Sequence, residues 1–134
     1  MSYIETVRIG PAPRIALDHM GSGELVVFLH GVGGNRCNWR GNLPIFGQRF
    51  LAAAWDARGY GDSDDYDGAL RFSDFSDDLA RVLDHFGAER AHVVGLSMGG
   101  RIALDFAGRD AGRLLTLTLC ATFRGFGSFS DEAK

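Results

Sequence analysis

Four short apolar runs limit this chain more than any other feature. They are LVVFLH at 25–30, FLAAAWDA at 50–57, AHVVGL at 91–96 and LLTLTLCAT at 114–122. All have strand length, and the first is continuously apolar, as expected of a strand buried on both faces of a parallel sheet. The run at 114–122 reads the same way. Helical segments separate them: a short one around 38–48, the clearest at 73–87, and a third from the end of the 91–96 run to about 109. In the second, Leu79, Val82, Leu83 and Phe86 recur at helical spacing, Ser73 stands at the N-cap position, Asp74, Asp77 and Asp78 suit the positive end of the dipole, and Gly87 ends it. Alternating strand and helix predicts a doubly wound, mostly parallel α/β sheet with right-handed crossovers. Residues 3–9 and 14–19 add an antiparallel pair, broken at Gly10-Pro11 and closed by Gly21-Ser22-Gly23.

The 134 residues fit one domain, and 46% hydrophobic content suffices for a core. With 14 Lys and Arg against 17 Asp and Glu and no basic block, a nucleic acid or an anionic membrane is not the expected partner; a small molecule is. The longest apolar stretch, 114–123, is too short to span a bilayer and residues 1–10 do not read as a leader, so the expected compartment is the cytoplasm. Cys37 and Cys120 lack ligand spacing and read as free, buried thiols, so neither a metal nor a cofactor is expected.

In such sheets ligands bind at the carboxyl ends of the strands, where the loops 30–36, 56–64 and 96–99 emerge. The last holds Gly95-Leu96-Ser97-Met98-Gly99, a G-x-S-x-G pattern on a strand-to-helix bend. A bend that sharp forces strained angles on the serine and small neighbours around it, and it lifts the hydroxyl clear of the sheet at a helix N-terminus. Free amide hydrogens there favour developing negative charge. Met98 N–H is the first expected oxyanion donor; Val32 N–H, from His30-Gly31-Val32-Gly33-Gly34, is the second, with Gly33 next. The plainer readings are that Ser97 is an N-cap and 30–34 a flexible turn.

Together HGVGGNRCNW at 30–39, WDARGYGDSD at 55–64 and VVGLSMGG at 93–100 resemble the N-terminal half of an α/β-hydrolase-fold protein, in that family's order and separations. Within the family the resemblance is to lidded small-ester and lactone hydrolases of the 3-oxoadipate enol-lactonase kind. It implies that residues 1–134 are the N-terminal part of a single α/β-hydrolase domain, with lid and last strands absent. It also implies that Ser97 is the nucleophile and that Val32 and Met98 form the oxyanion hole. Serine at the elbow, where dehalogenase and epoxide-hydrolase relatives carry aspartate, speaks against an alkyl-enzyme. The charged run from Asp56 to Ser63 resembles a structural turn in which Asp56 and Arg58 satisfy nearby backbone groups.

That family's triad runs Ser, then acid, then His. Here His19, His30, His85 and His92 all precede Ser97, and Asp105, Asp110, Asp131 and Glu132 are poor candidates for the acid. His30 resembles a structural histidine at the mouth of the oxyanion loop. The expectation is therefore a serine hydrolase of small carboxylic esters or lactones whose acid and histidine belong to a missing C-terminal part. That part, or a second copy, would pair with the strand at 114–122, which otherwise leaves an unprotected sheet edge. The alternatives are a non-catalytic small-molecule receptor or interaction module on the same fold and, less favoured, a C–C bond hydrolase or a haloperoxidase- or perhydrolase-like activity. The possible pocket residues are His30, Gly31, Gly33, Trp39, Phe123 and Arg124.

Overall fold

The computed structural model describes residues 3–122 of the 134. Among them six strands form one sheet: β1 (Glu5–Ile9), β2 (Ile15–Met20), β3 (Leu25–Leu29), β4 (Leu51–Trp55), β5 (Ala91–Leu96) and β6 (Leu114–Cys120). The order is β1-β2-β4-β3-β5-β6, with β4, β3, β5 and β6 parallel and β1 and β2 antiparallel at one edge. The winding reverses at β3, which has β4 on one side and β5 on the other. The loops leaving β3 and β5 therefore begin side by side, as the pairing of Leu29 with Gly95 shows.

Strand periodicity divides the core in two. Leu25, Val27 and Leu29 of β3 face α2 (Phe72–His85) and α3 (Met98–Asp110) and meet Leu79, Leu83, Ile102 and Phe106. Val26 and Phe28 face the other way, onto Leu43 of the short helix α1 (Leu43–Phe46), with Trp39 and Phe46 at the margin. All of β3 is buried. Each large apolar side chain buried here is worth about 1.5–3 kcal/mol, and because both faces of β3 are apolar its register is set by side-chain fit on each face rather than by an apolar–polar alternation.

Three expected elements differ. The helix expected at 38–48 is two pieces, a 3-10 turn at Arg36–Trp39 and α1, because Gly41-Asn42 interrupts them and Asn35 caps the turn by accepting from Cys37 N–H at 2.8 Å. α2 begins one residue before Ser73, which is not its cap; the Asp74 carboxylate reaches back to accept from Arg71 N–H at 2.9 Å. β6 is an edge strand rather than one buried on both faces, and Leu115 and Leu119 are each 39% exposed, since no described element covers them. Both cysteines are free, but Cys37 is exposed and Cys120 half-buried; neither is the buried thiol expected, because one sits in the 3-10 turn and the other at the end of the edge strand. Among the described residues no helix is long and apolar enough to cross a membrane.

Candidate active site

β5 ends at Leu96 and α3 starts at Met98, so the reversal of direction falls on Ser97, which adopts φ 55° and ψ −114°. Such backbone costs on the order of 1–3 kcal/mol in a non-glycine residue and must be held by its surroundings. Ser97 N–H donates to Cys120 O at 2.9 Å, and Ser97 O accepts from Arg101 N–H at 3.1 Å and from the Thr122 hydroxyl at 2.7 Å. Small neighbours are compulsory: a Cβ on Gly95 would lie 2.5 Å from Gly100 Cα, and one on Gly99 would strike the Leu29 carbonyl. The Ser97 side chain makes no capping bond to α3, so it does not act as an N-cap.

The loop after β3 lies against this bend. A Cβ on Gly31 would be 3.7 Å from Ser97 Oγ, and Gly31, Val32, Gly33 and Ser97 share the wall of an open cleft of about 560 Å³. The Val32 side chain is 75% exposed, so its contribution to the core is slight. Among the described residues no acceptor takes the N–H of Val32 or of Met98. His30, by contrast, is wholly buried and outside this cleft. Its Nε2 accepts from Ala57 N–H at 3.1 Å, which leaves Nδ1 to carry the proton and donate to Gly31 O at 2.8 Å. Burial holds its pKa below the ordinary histidine value, against the opposing pull of Gly31 O and Asp56. With both nitrogens engaged, His30 ties the loop after β3 to the loop after β4 and has none to offer a substrate.

A second cavity, about 460 Å³, shares Val32 and Ser97 with this cleft. Tyr60, Tyr66, Phe72, Phe75 and Met98 make it largely apolar, and Arg101 enters it from one turn along α3. Tyr60 packs on the His30 ring at 5.0 Å and places its hydroxyl 3.6 Å from Met98 Sδ. Trp39 lines neither cavity; the 3-10 turn sends it onto Phe28, centroids 5.0 Å apart, in the α1-side core. Phe123 and Arg124 lie outside the described residues. Sequence patterning missed Tyr60, Phe72, Phe75, Arg101 and Thr122. Phe72 lies just before the helix expected at 73–87 and Phe75 in its first turn, outside the run of apolar positions from Leu79 to Phe86, and nothing local marks the others.

The charged loop after β4 is fully occupied. The Asp56 carboxylate accepts from Arg36 N–H at 2.6 Å, from Asp62 N–H at 2.8 Å and from the Arg36 guanidinium, which also donates to buried Asp18 at 2.9 Å. Burial alone would raise the Asp18 pKa, but hydrogen bonds from Thr6 and Arg36 leave it below the usual carboxylate value. Arg58 serves a side chain rather than the backbone groups expected of it: it forks onto Asp78 of α2 at 2.7 and 2.8 Å, because α2 brings that carboxylate beneath the loop. The remaining histidines are elsewhere. His19 is in β2, His85 ends α2, and His92 stands at the far end of β5, bonded to Glu24 at 3.0 Å and Thr116 at 2.7 Å. Asp105 accepts from the Ser76 hydroxyl at 2.6 Å between the two helices. Among the described residues no cluster of His, Cys, Asp or Glu could hold a metal ion.

Comparison with known proteins agrees with this fold. A family model described as alpha/beta hydrolase fold matches residues 24–134. The chain is 36% identical over 107 residues, 80% of its length, to a dihydrolipoyllysine-residue acetyltransferase component of an acetoin cleaving system from Cupriavidus necator, and covers 28% of that protein. It is 41% identical over 88 residues, 63% of its length, to epoxide hydrolase B of Mycobacterium tuberculosis, and covers 25% of it. A thermophilic esterase from Thermogutta terrifontis superposes with a TM-score of 0.84 at 30% identity, over 96% of this chain and 48% of the esterase. The chain thus spans about a quarter of the length of these two curated relatives and about half of the solved esterase.

Proposed function

This chain belongs to the alpha/beta hydrolase fold family, and we propose that it carries the nucleophile and the oxyanion hole of a serine hydrolase acting on small carboxylic esters or lactones. One observation carries the reading: an uncapped serine at φ 55° lining two cavities, with the N–H groups of Val32 and Met98, unclaimed among the described residues, on the loops that meet there. Ser97 Oγ adds to the acyl carbon as its proton passes to a base, and the two amides hold the resulting oxyanion. Collapse breaks the acyl C–O bond, and the base returns the proton to the departing alkoxide. Water then repeats the sequence on the acyl-serine, releasing the acid and restoring the hydroxyl.

We assign the base, with the acid that orients it, to polypeptide outside residues 3–122, since both nitrogens of His30 are occupied and the other histidines lie elsewhere. The edge of β6 that no described strand pairs is where that polypeptide, a further stretch of the same protein or a second copy, is placed in this reading. Treating the full-length gene product with a fluorophosphonate and mapping the adduct by mass spectrometry tests it: Ser97 is labelled. A folded protein without the adduct would reject the reading. It would favour a non-catalytic small-molecule binding protein on the same fold, the alternative suggested by the lack of a free base among the described residues.

A further inference from the structure

Among the described residues three charged side chains line the apolar cavity beside Ser97, and only one of those three is left without a charged partner and turned to a ligand inside it. Arg58 is engaged by carboxylates of α2: it forks onto Asp78, which Arg81 shares at 2.9 Å, and lies 4.0 Å from Asp74. Asp65 is exposed at the rim, where it also faces a separate outer groove with Asp64 and Asp67. Arg101 has no carboxylate partner among the described residues; its Cζ rests 5.3 Å from the centroid of the Phe72 ring, which is itself set edge-on to Phe75 at 5.6 Å. The aromatic pair thus holds the guanidinium against the cavity wall. Arg101 N–H donates to Ser97 O across the first turn of α3, and both residues line the cavity.

An acyl chain that leaves Ser97 and fills this cavity removes water from Arg101. A guanidinium buried beside hydrocarbon alone is strongly disfavoured, whereas a carboxylate matches its planar fork. We propose that the cavity selects esters whose acyl chain ends in a carboxylate, that is, monoesters of dicarboxylic acids, with Arg101 as the group that recognises the distal charge. This rests on the serine-hydrolase reading above.

The test compares kcat/KM of the full-length gene product for monoethyl succinate, glutarate and adipate, each against the ethyl ester in which a methyl replaces the distal carboxylate. Fluorophosphonate labelling is run in parallel. At least one anionic ester is preferred about tenfold or more. Arg101→Met brings that ratio to about one, Arg101→Lys leaves an intermediate value, and added salt lowers it in the wild type. A labelled Ser97 with a ratio near one, or a ratio that Arg101→Met does not change, overturns the subsite alone. Absence of both label and ester turnover rejects the serine hydrolase itself, and the subsite with it.

Discussion

The loops after β4 and β5 occupy the same end of the sheet and differ in how much of their bonding capacity is left over. The first, from Asp56 to Asp64, is rich in charge, yet Asp56 accepts from Arg36 and Asp62, and Arg58 is consumed by Asp78. The second has an uncharged serine, but its hydroxyl makes no cap and the adjacent Met98 N–H is unclaimed. Charge is conspicuous in a sequence; unclaimed bonding capacity is what a reacting substrate requires. Backbone strain falls at the same place, at Ser97 and, beside it at the end of β6, at Ala121 with φ 47°.

Paired substitutions sharpen this contrast. Ser97→Ala in the full-length product is expected to lower ester hydrolysis by about a million-fold while urea unfolding stays within about 0.5 kcal/mol of wild type. Asp56→Asn does the reverse. It strips a buried guanidinium of one partner and should cost about 3–5 kcal/mol in urea unfolding, with a far smaller loss of turnover per folded molecule; equal losses of turnover in the two variants would erase the distinction between the loops. Thr122→Val keeps side-chain shape but deletes the 2.7 Å bond to Ser97 O. Loss of about 1 kcal/mol there should lower kcat about fivefold at unchanged KM, and Thr122→Ser should restore it; a purely structural hydroxyl would instead lower stability without the kcat-specific change.

The smallest expected effect is on pH. Burial depresses the His30 pKa in the folded chain, so the neutral ring's contribution is complete above the unfolded value, about 6.5, and is lost as pH falls through the folded value. Urea midpoints should therefore decline from pH 7 toward 5, and His30→Gln should flatten that slope. An unchanged slope would show that His30 is not the lock between the loops after β3 and β4.

Much of the fold could be read in advance because burial leaves a period. LVVFLH has the length and continuous apolar character of a strand covered on both faces, and Leu79, Val82 and Leu83 have the spacing of one face of a helix. G-x-S-x-G could be placed on a bend because its small residues answer a local clash, at Gly95 and Gly99. Trp39 is open between pocket and core in the sequence for the opposite reason: its direction depends on where Gly41-Asn42 breaks the following helix, and an aromatic side chain looks alike in a core and in a cavity.

Local pattern determined the strands, the order of the motifs and the residue at the turn, since each depends on neighbours a few positions away. Tertiary structure alone decided which polar groups remain available: Thr122 meets Ser97 from 25 residues away, Arg36 meets Asp56 across 20, and among the described residues Arg101 meets an aromatic ring and no carboxylate. Hydrogen bonding saturates, so whether a group is free depends on every partner the fold brings within about 3 Å of it, and that census has no counterpart in sequence spacing.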